Sequence, residues 1–191
     1  MARHGETDWN RESRFQGHAD TTLNDAGRQQ ARELADRLAG EDIVAVYASP
    51  LLRAFETAEI VGERLGLGVE TVEGLREVDV GSWSGLTRTE IERRFPEGFR
   101  RWLDFDHGWD DGESYEALGT RVLAALTDLA VRHPSERVLV VSHGGPMRAA
   151  LAAAASVSYA DARRVAKPVG NCDVAVFRFE DARLRRIDSD D

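Results

Sequence analysis

Two continuous apolar runs, IVAVYA at 43–48 and VLVV at 138–141, each break off in a polar turn, SPLLR after the first and SHGG after the second. Apolar runs of this length bounded by turn signals read as buried strands. With helical periodicities between them, they constrain the chain to an α/β architecture. Open α/β sheets bind ligands just beyond the carboxyl ends of their strands, so both runs bring a cation-capable side chain, Arg53 and His143, to one edge.

The other elements fit that order. Asn24 is placed to cap a helix running to about Leu38, with Ala31, Leu34, Ala35 and Leu38 recurring on one face. Ser49 and Pro50 read as the cap and first residue of a helix carrying Arg53, Ala54, Ala58, Val61 and Leu65, which puts Arg53 in a first turn that favours an anion. A short strand is predicted at 69–72. Thr87-x-x-Glu90 predicts a capping box on a short helix that Phe95-Pro96 ends. Ser114 opens a longer helix with Leu118, Val122, Leu126 and Leu129 at helical spacing, stopping before Pro134. A helix after Gly145 and strands near 173–180 and 183–188 complete the chain, the last two antiparallel about a turn at Glu180-Asp181-Ala182-Arg183. Ala-rich 149–155 reads as close helix packing. The expected whole is one domain over 1–191, a three-layer sandwich with a mostly parallel central sheet, an antiparallel edge and helices on both faces. A lid-like helical segment is expected at about 87–113.

The chemistry begins at Arg3-His4-Gly5-Glu6-Thr7. A histidine with a free ring nitrogen is a competent nucleophile, and the arginine fork fits phosphate oxygens two at a time. Taken alone, such a pair is as readily a solvated turn. The net charge of −9 argues against nucleic acid or an anionic membrane as partner. It concerns the average surface only, and a cationic pocket can sit inside an acidic protein. No GxxxxGK(S/T) loop occurs, and Cys172 is the sole cysteine, so a P-loop NTPase, an intrachain disulfide and a Cys-based zinc cluster are excluded. No stretch reads as a signal peptide or a membrane span, and the chain is expected in the cytoplasm.

Together, RHGETDWN, RFQGHADTTLNDAGRQQA, SPLLRAFETA, LREVDVGSWSGL, GES and VVSHGG, in that order across nearly the whole chain, closely resemble the histidine phosphatase superfamily, which contains the cofactor-dependent phosphoglycerate mutases. The resemblance implies a metal-independent phosphomonoester hydrolase with no cofactor, acting on a small phosphorylated metabolite. His4 attacks phosphorus in line to give a phosphohistidine, and Arg3, Arg53 and His143 offset the charge of the phosphate. Glu77 is the general acid and then the base; the residues alone rank Asp79 equally. Asn10, Gln16 and Gly17 match positions that line the phosphate site, and Gly144 follows the second histidine. In the family the RHG motif ends the central strand, yet only Met1 and Ala2 precede Arg3. The start is therefore expected upstream, with a shortened strand as the alternative. A homodimer is a further possibility.

Each nominee has a plainer reading. His143 could be a strand-end core histidine, although two glycines after it and the parallel with His4 favour the pocket. Arg53 could pair with Glu56, yet a cation in a helix's first turn opposes the dipole and points to another anion. His18 is expected at the substrate opening, His107 on the lid, and His133 merely solvated. Trp83, Trp102 and Trp109 read as core or lid packing. Metal binding by His4, His18 or His143 is disfavoured, because no HxxxH or HxH spacing occurs. The mutases of the family carry a long insertion with an arginine pair and a tyrosine that grip a carboxylate. Here Val80 stands where that tyrosine would be, and the stretch from Glu77 to His143 is compact, which favours hydrolysis. A phosphoglycerate mutase remains an alternative, as does a selective phosphatase for glucosyl-phosphoglycerate-type substrates, with Arg88, Arg100 and Arg101 offered to a carboxylate. The alternative of another class is an inactive phosphate-binding module.

Overall fold

Alternation within the two apolar runs decides the layering in the computed structural model, which describes residues 1–165, 167–181 and 183–187. Successive side chains of a strand face opposite ways. Val46 and Ala48 of β2 (Ile43–Ala48) and Leu139 and Val141 of β4 (Arg137–Ser142) enter one core, with Leu34 and Ala35 of α2 (Asp25–Leu38) and Ala54, Ala58 and Val61 of α3 (Leu52–Leu65). Tyr47 and Val140, one residue out of step, enter another with Leu75 and with Leu129 of α6 (Tyr115–Arg132). Both faces of the sheet are thus covered, the condition a parallel sheet requires.

The sheet order is β1-β4-β2-β3, with β1 only Ala2–Arg3, β3 Val69–Thr71, and every pairing parallel. The segment 172–175 runs antiparallel along the free side of β1, with Arg3 N donating to Asp173 O at 3.1 Å and Ala175 N to Met1 O at 2.9 Å. This is the antiparallel edge. The strand predicted at 173–180 is therefore divided. Beyond the edge, β5 (Val176–Glu180) leaves the central sheet and pairs with β6 (Arg183–Ile187) as a separate antiparallel hairpin. Ala182 of the predicted turn and residue 188 of the predicted strand lie outside the described residues.

One helix start differs from its sequence signal. The helix α3 is capped by Leu51, without a side-chain cap bond, and not by Ser49. Ser49 is drawn into the sheet instead: its N–H donates to Val141 O at 3.0 Å, and its hydroxyl lies 2.7 Å from His143 Nε2. The orphan N–H of Leu52 is taken by Asp20 Oδ1 at 3.0 Å, from a loop distant in sequence. Arg53 still falls in the first turn. The supposed Glu56 partner is occupied elsewhere, accepting from Leu23 N at 2.9 Å.

The segment expected as a lid holds two helices, α4 (Arg88–Arg94), with the Thr87/Glu90 capping box, and α5 (Pro96–Leu103), which opens with the proline that ends α4. Trp83, Ile91, Trp109, Leu118 and Val122 form its core, with Trp102 partly buried at the rim. Among the arginines of this segment, Arg101 is bound to Gly108 O and Asp110, and Arg88 lies over the Trp102 ring. His133 is not simply solvated: Nδ1 faces Glu136 at 2.8 Å and Nε2 the Tyr47 hydroxyl at 2.7 Å. Two short helices escaped sequence reading, α1 (Asp8–Arg11) and α8 (Tyr159–Val165), besides the predicted α7 (Gly144–Ala154). No helix among the described residues is long and apolar enough to cross a membrane.

Candidate active site

The carboxyl ends of β1, β2 and β4 converge, and the residues just beyond each end meet there. His4 continues β1, its N–H donating to Ser142 O at 2.9 Å. Its Nδ1 lies 2.7 Å from Gly5 O. A carbonyl only accepts, so Nδ1 carries the proton and Nε2 keeps its lone pair. Burial, then the charges of Arg53 and Arg3, hold the His4 pKa well below the usual imidazole value, so the ring stays neutral near pH 7. The backbone beneath it is tied down: Gly5 N donates to Thr57 Oγ1 at 3.0 Å, and Asn171 Nδ2 donates to His4 O at 2.9 Å.

His143 faces His4 with ring centroids 5.1 Å apart. Its Nε2 meets Ser49 Oγ, and the Leu51 N–H donates to that same oxygen at 3.3 Å. With the Ser49 hydroxyl donating to Nε2, the proton of a neutral His143 sits on Nδ1, which has no partner. Its pKa is likewise held well below the ordinary value, by burial first and then by Arg53, His4 and Arg3.

Arg53 is fully buried. Its amino groups donate to Ala19 O at 2.7 Å and Gly17 O at 2.8 Å, which leaves Nε unpartnered. Burial lowers its pKa to about 10, still a cation at neutral pH. Gly17 serves through its backbone: it adopts φ +49°, and a Cβ there would come within 2.7 Å of Val80 Cγ2. Arg3 donates to Val169 O at 2.5 Å and leaves Nε without a partner. Four buried side-chain nitrogens lack partners among the described residues, and three of them are Arg3 Nε, Arg53 Nε and His143 Nδ1. Buried polar groups are nearly always satisfied, so these three orphans, two of them on arginines whose charge acts on His4 and one on the ring beside it, are donors open to a further acceptor.

Glu77 approaches from the loop after β3. Its Oε1 accepts from Val78 N at 2.9 Å and Gly145 N at 3.0 Å, leaving Oε2 the less engaged oxygen. Gly145 is the second glycine of the SHGG turn, and a Cβ there would fall 2.2 Å from Glu77 Oε1. A Cβ on Gly144 would stand 4.0 Å from both Arg3 Nε and Glu77 Oε2. Asp79, the rival carboxylate, accepts from Gly81 N instead. Asn10 Oδ1 accepts from Thr7 N, and Gln16 Oε1 from the Thr7 and Thr21 hydroxyls, which turns both amide groups by their oxygens. His18 sits at the rim with Nε2 2.8 Å from Glu77 O. His107 pairs with Asp106.

Arg121 also escaped sequence reading. It makes a two-point pair with Glu113 at 2.6 and 2.7 Å and donates to the carbonyls of Gly74, Arg76 and Glu77. Glu113 belongs to the GES segment, so that segment holds the acid loop through Arg121. Arg121→Met strands a largely buried carboxylate and is expected to cost about 3 kcal/mol, a Tm drop of about 6–12 °C. Calorimetry on R121M and on the double variant with Glu113→Leu checks this, since the double variant should recover part of the loss.

The two neutral histidines set an acid limit on stability. A group whose folded pKa is depressed binds its proton in the unfolded chain first, so stability is complete above the unfolded value of about 6.5. It then falls by about 1.4 kcal/mol per pH unit for each histidine as pH drops toward the folded values. Urea titrations from pH 7.5 to 5 should show this slope in the native chain and a shallower one in His143→Phe.

Among the described residues no group of three or more His, Cys, Asp or Glu is arranged to hold a metal ion. Comparison with known proteins gives a consistent setting for this geometry. Residues 1–188 match the profile of the histidine phosphatase superfamily (branch 1). Phosphoglycerate mutase-like protein 4 of Arabidopsis thaliana is 41% identical over 189 residues, 95% of this chain and 79% of its own. Phosphoserine phosphatase 1 of Hydrogenobacter thermophilus is 38% identical over 151 residues, 78% of this chain and 72% of its own. The structure of a mycobacterial glucosyl-3-phosphoglycerate phosphatase complexed with VO3 superposes with a TM-score of 0.85 at 32% identity, over 98% of this chain and 94% of that one.

Proposed function

This chain belongs to branch 1 of the histidine phosphatase superfamily, and we propose that it hydrolyses phosphate monoesters of small cytoplasmic metabolites through a phosphohistidine on Nε2 of His4. The carrying observation is the set of three orphaned donors near an imidazole whose free nitrogen is fixed by the Gly5 carbonyl.

The ester phosphate docks between Arg3 Nε, Arg53 Nε and His143 Nδ1, which balance its charge where water is excluded. The His4 Nε2 lone pair forms the N–P bond as the P–O bond to the alcohol breaks, and Glu77 Oε2 gives its proton to the departing oxygen. A water then attacks phosphorus while Glu77 takes its proton. The N–P bond breaks, releasing inorganic phosphate and neutral His4. Two arginines and a neutral histidine supply the charge stabilisation, so no metal ion is needed in either step. Hydrolysis is favoured over the mutase reaction because Val80, buried against Gly17, stands where the mutases carry a tyrosine.

Chelators are expected to leave turnover unchanged, whereas vanadate inhibits competitively, as an oxyanion occupies the same donors. A p-nitrophenyl phosphate assay with and without EDTA and vanadate tests this; activity lost to EDTA and restored by a divalent cation would reverse the reading.

A further inference from the structure

The wall of the site beyond Glu77 holds a cation that phosphoryl transfer to His4 does not use. Arg148 lies in α7, four residues after Gly144 and three after Gly145, so all three share one helix face. That face is fixed by observation, because a Cβ on Gly145 points at Glu77 Oε1 and one on Gly144 at Arg3 Nε and Glu77 Oε2. Helical side chains lean back toward the N-terminus, which brings the Arg148 guanidinium toward the same carboxylate.

Its surroundings agree. Arg148 lies near enough to Tyr159, Arg3 and Tyr115 for its charge to act on all three. Tyr115 and Tyr159 stack with centroids 4.2 Å apart and are held in place by Arg163, which donates to the Tyr115 hydroxyl at 3.0 Å. Among the described residues no carboxylate lies within ion-pair distance of Arg148, whereas Arg76, Arg101, Arg121, Arg137 and Arg164 each have one. A half-buried cation with no carboxylate in ion-pair range, and with Arg3 near enough to repel it, is served by a further anion.

We propose that Arg148, beside Tyr159, binds a carboxylate on the leaving alcohol, so that the chain selects phosphate monoesters bearing a carboxylate a few bonds from the ester oxygen. Glu77 protonates the departing oxygen and so marks the leaving-group side, the side on which Arg148 stands. This rests on the phosphatase reading and names its substrate class. It also replaces Arg88 and Arg101, whose guanidinium groups are engaged within the lid, as the carboxylate partner.

The test uses substrate pairs differing only in the carboxylate: O-phosphoserine against O-phosphoethanolamine, and 3-phosphoglycerate against glycerol 3-phosphate. The wild-type chain should prefer the carboxylated member of each pair in kcat/KM. Arg148→Gln should shrink that preference by about 10- to 100-fold, the worth of one charge-assisted hydrogen bond, chiefly through KM. Arg148→Lys should recover part of it, and Tyr159→Phe should lose a smaller part. An unaltered preference in Arg148→Gln, or an equal fall for both members of each pair, overturns the proposal. A wild type that turns over both members equally also overturns it while leaving the phosphatase reading standing. Failure to hydrolyse any monoester strikes the phosphatase reading itself.

Discussion

His4→Ala abolishes turnover, with kcat down by on the order of 10^4 to 10^6, whereas His143→Ala retains a measurable residue about 10^2-fold below wild type. The two rings lie 5.1 Å apart with their planes tilted by 59°, and both are buried, so packing predicts similar losses for both. Chemistry does not. His4 supplies the electron pair that forms the covalent bond, and without it the two-step route is closed. His143 supplies one donor among several, and removal of one such donor costs about 3 kcal/mol. Circular dichroism on both variants separates misfolding from catalysis, and steady-state rates decide the rest. Equal, mild losses would overturn the assignment.

Glu77→Gln is expected to lower kcat for alkyl phosphates by about 10^2- to 10^4-fold, the usual contribution of a general acid and base. Its effect on the first step should depend on the leaving group. A dinitrophenolate departs without a proton, so phosphorylation of His4 by dinitrophenyl phosphate should continue in E77Q, while hydrolysis of the phosphohistidine, which needs the base, is slowed. The variant should therefore show a burst of dinitrophenolate matching the enzyme concentration, with slow turnover after it. Gln keeps one oxygen to accept from Val78 N and Gly145 N, so the loop geometry is preserved and the change reads out proton transfer. Uniform loss across leaving groups with no burst would place Glu77 in binding alone.

How much of the site is legible in the sequence depends on how far each contact reaches along the chain. Arg53 and His143 stand just beyond strand ends that are visible as abrupt stops in apolar runs, whereas Arg3 and His4, with only Met1 and Ala2 before them, are legible from the RHGET motif. Their donors and acceptors are not. Asn171 reaches His4 O across 167 residues of sequence, and Ser49 meets His143 across 94. The SP dipeptide at 49–50 illustrates the conflict: local chemistry favours a helix cap there, but a sheet bond to Val141 O and the His143 ring claim Ser49, and Asp20 takes over the capping from another loop. Helix α6 is legible from its repeat of Leu118, Val122 and Leu129, whereas Arg121 on the same helix looks like any solvated cation until the loop of residues 74–77 is laid against it. The hairpin β5–β6 has the right local signals. Its separation from the central sheet comes from where β1 leaves room for only the segment 172–175.

Passage of the phosphoryl group through His4 is the step on which every other assignment depends. Rapid acid-free quench of the enzyme with dinitrophenyl phosphate, and then mass spectrometry of the peptide containing Arg3 and His4, reports on that step. One phosphoryl group is expected on His4, stable in alkali and lost in acid, accumulating in Glu77→Gln and absent from His4→Ala. A phosphoryl group on another residue, or continued hydrolysis by His4→Ala at the wild-type rate, would show that His4 is not the nucleophile.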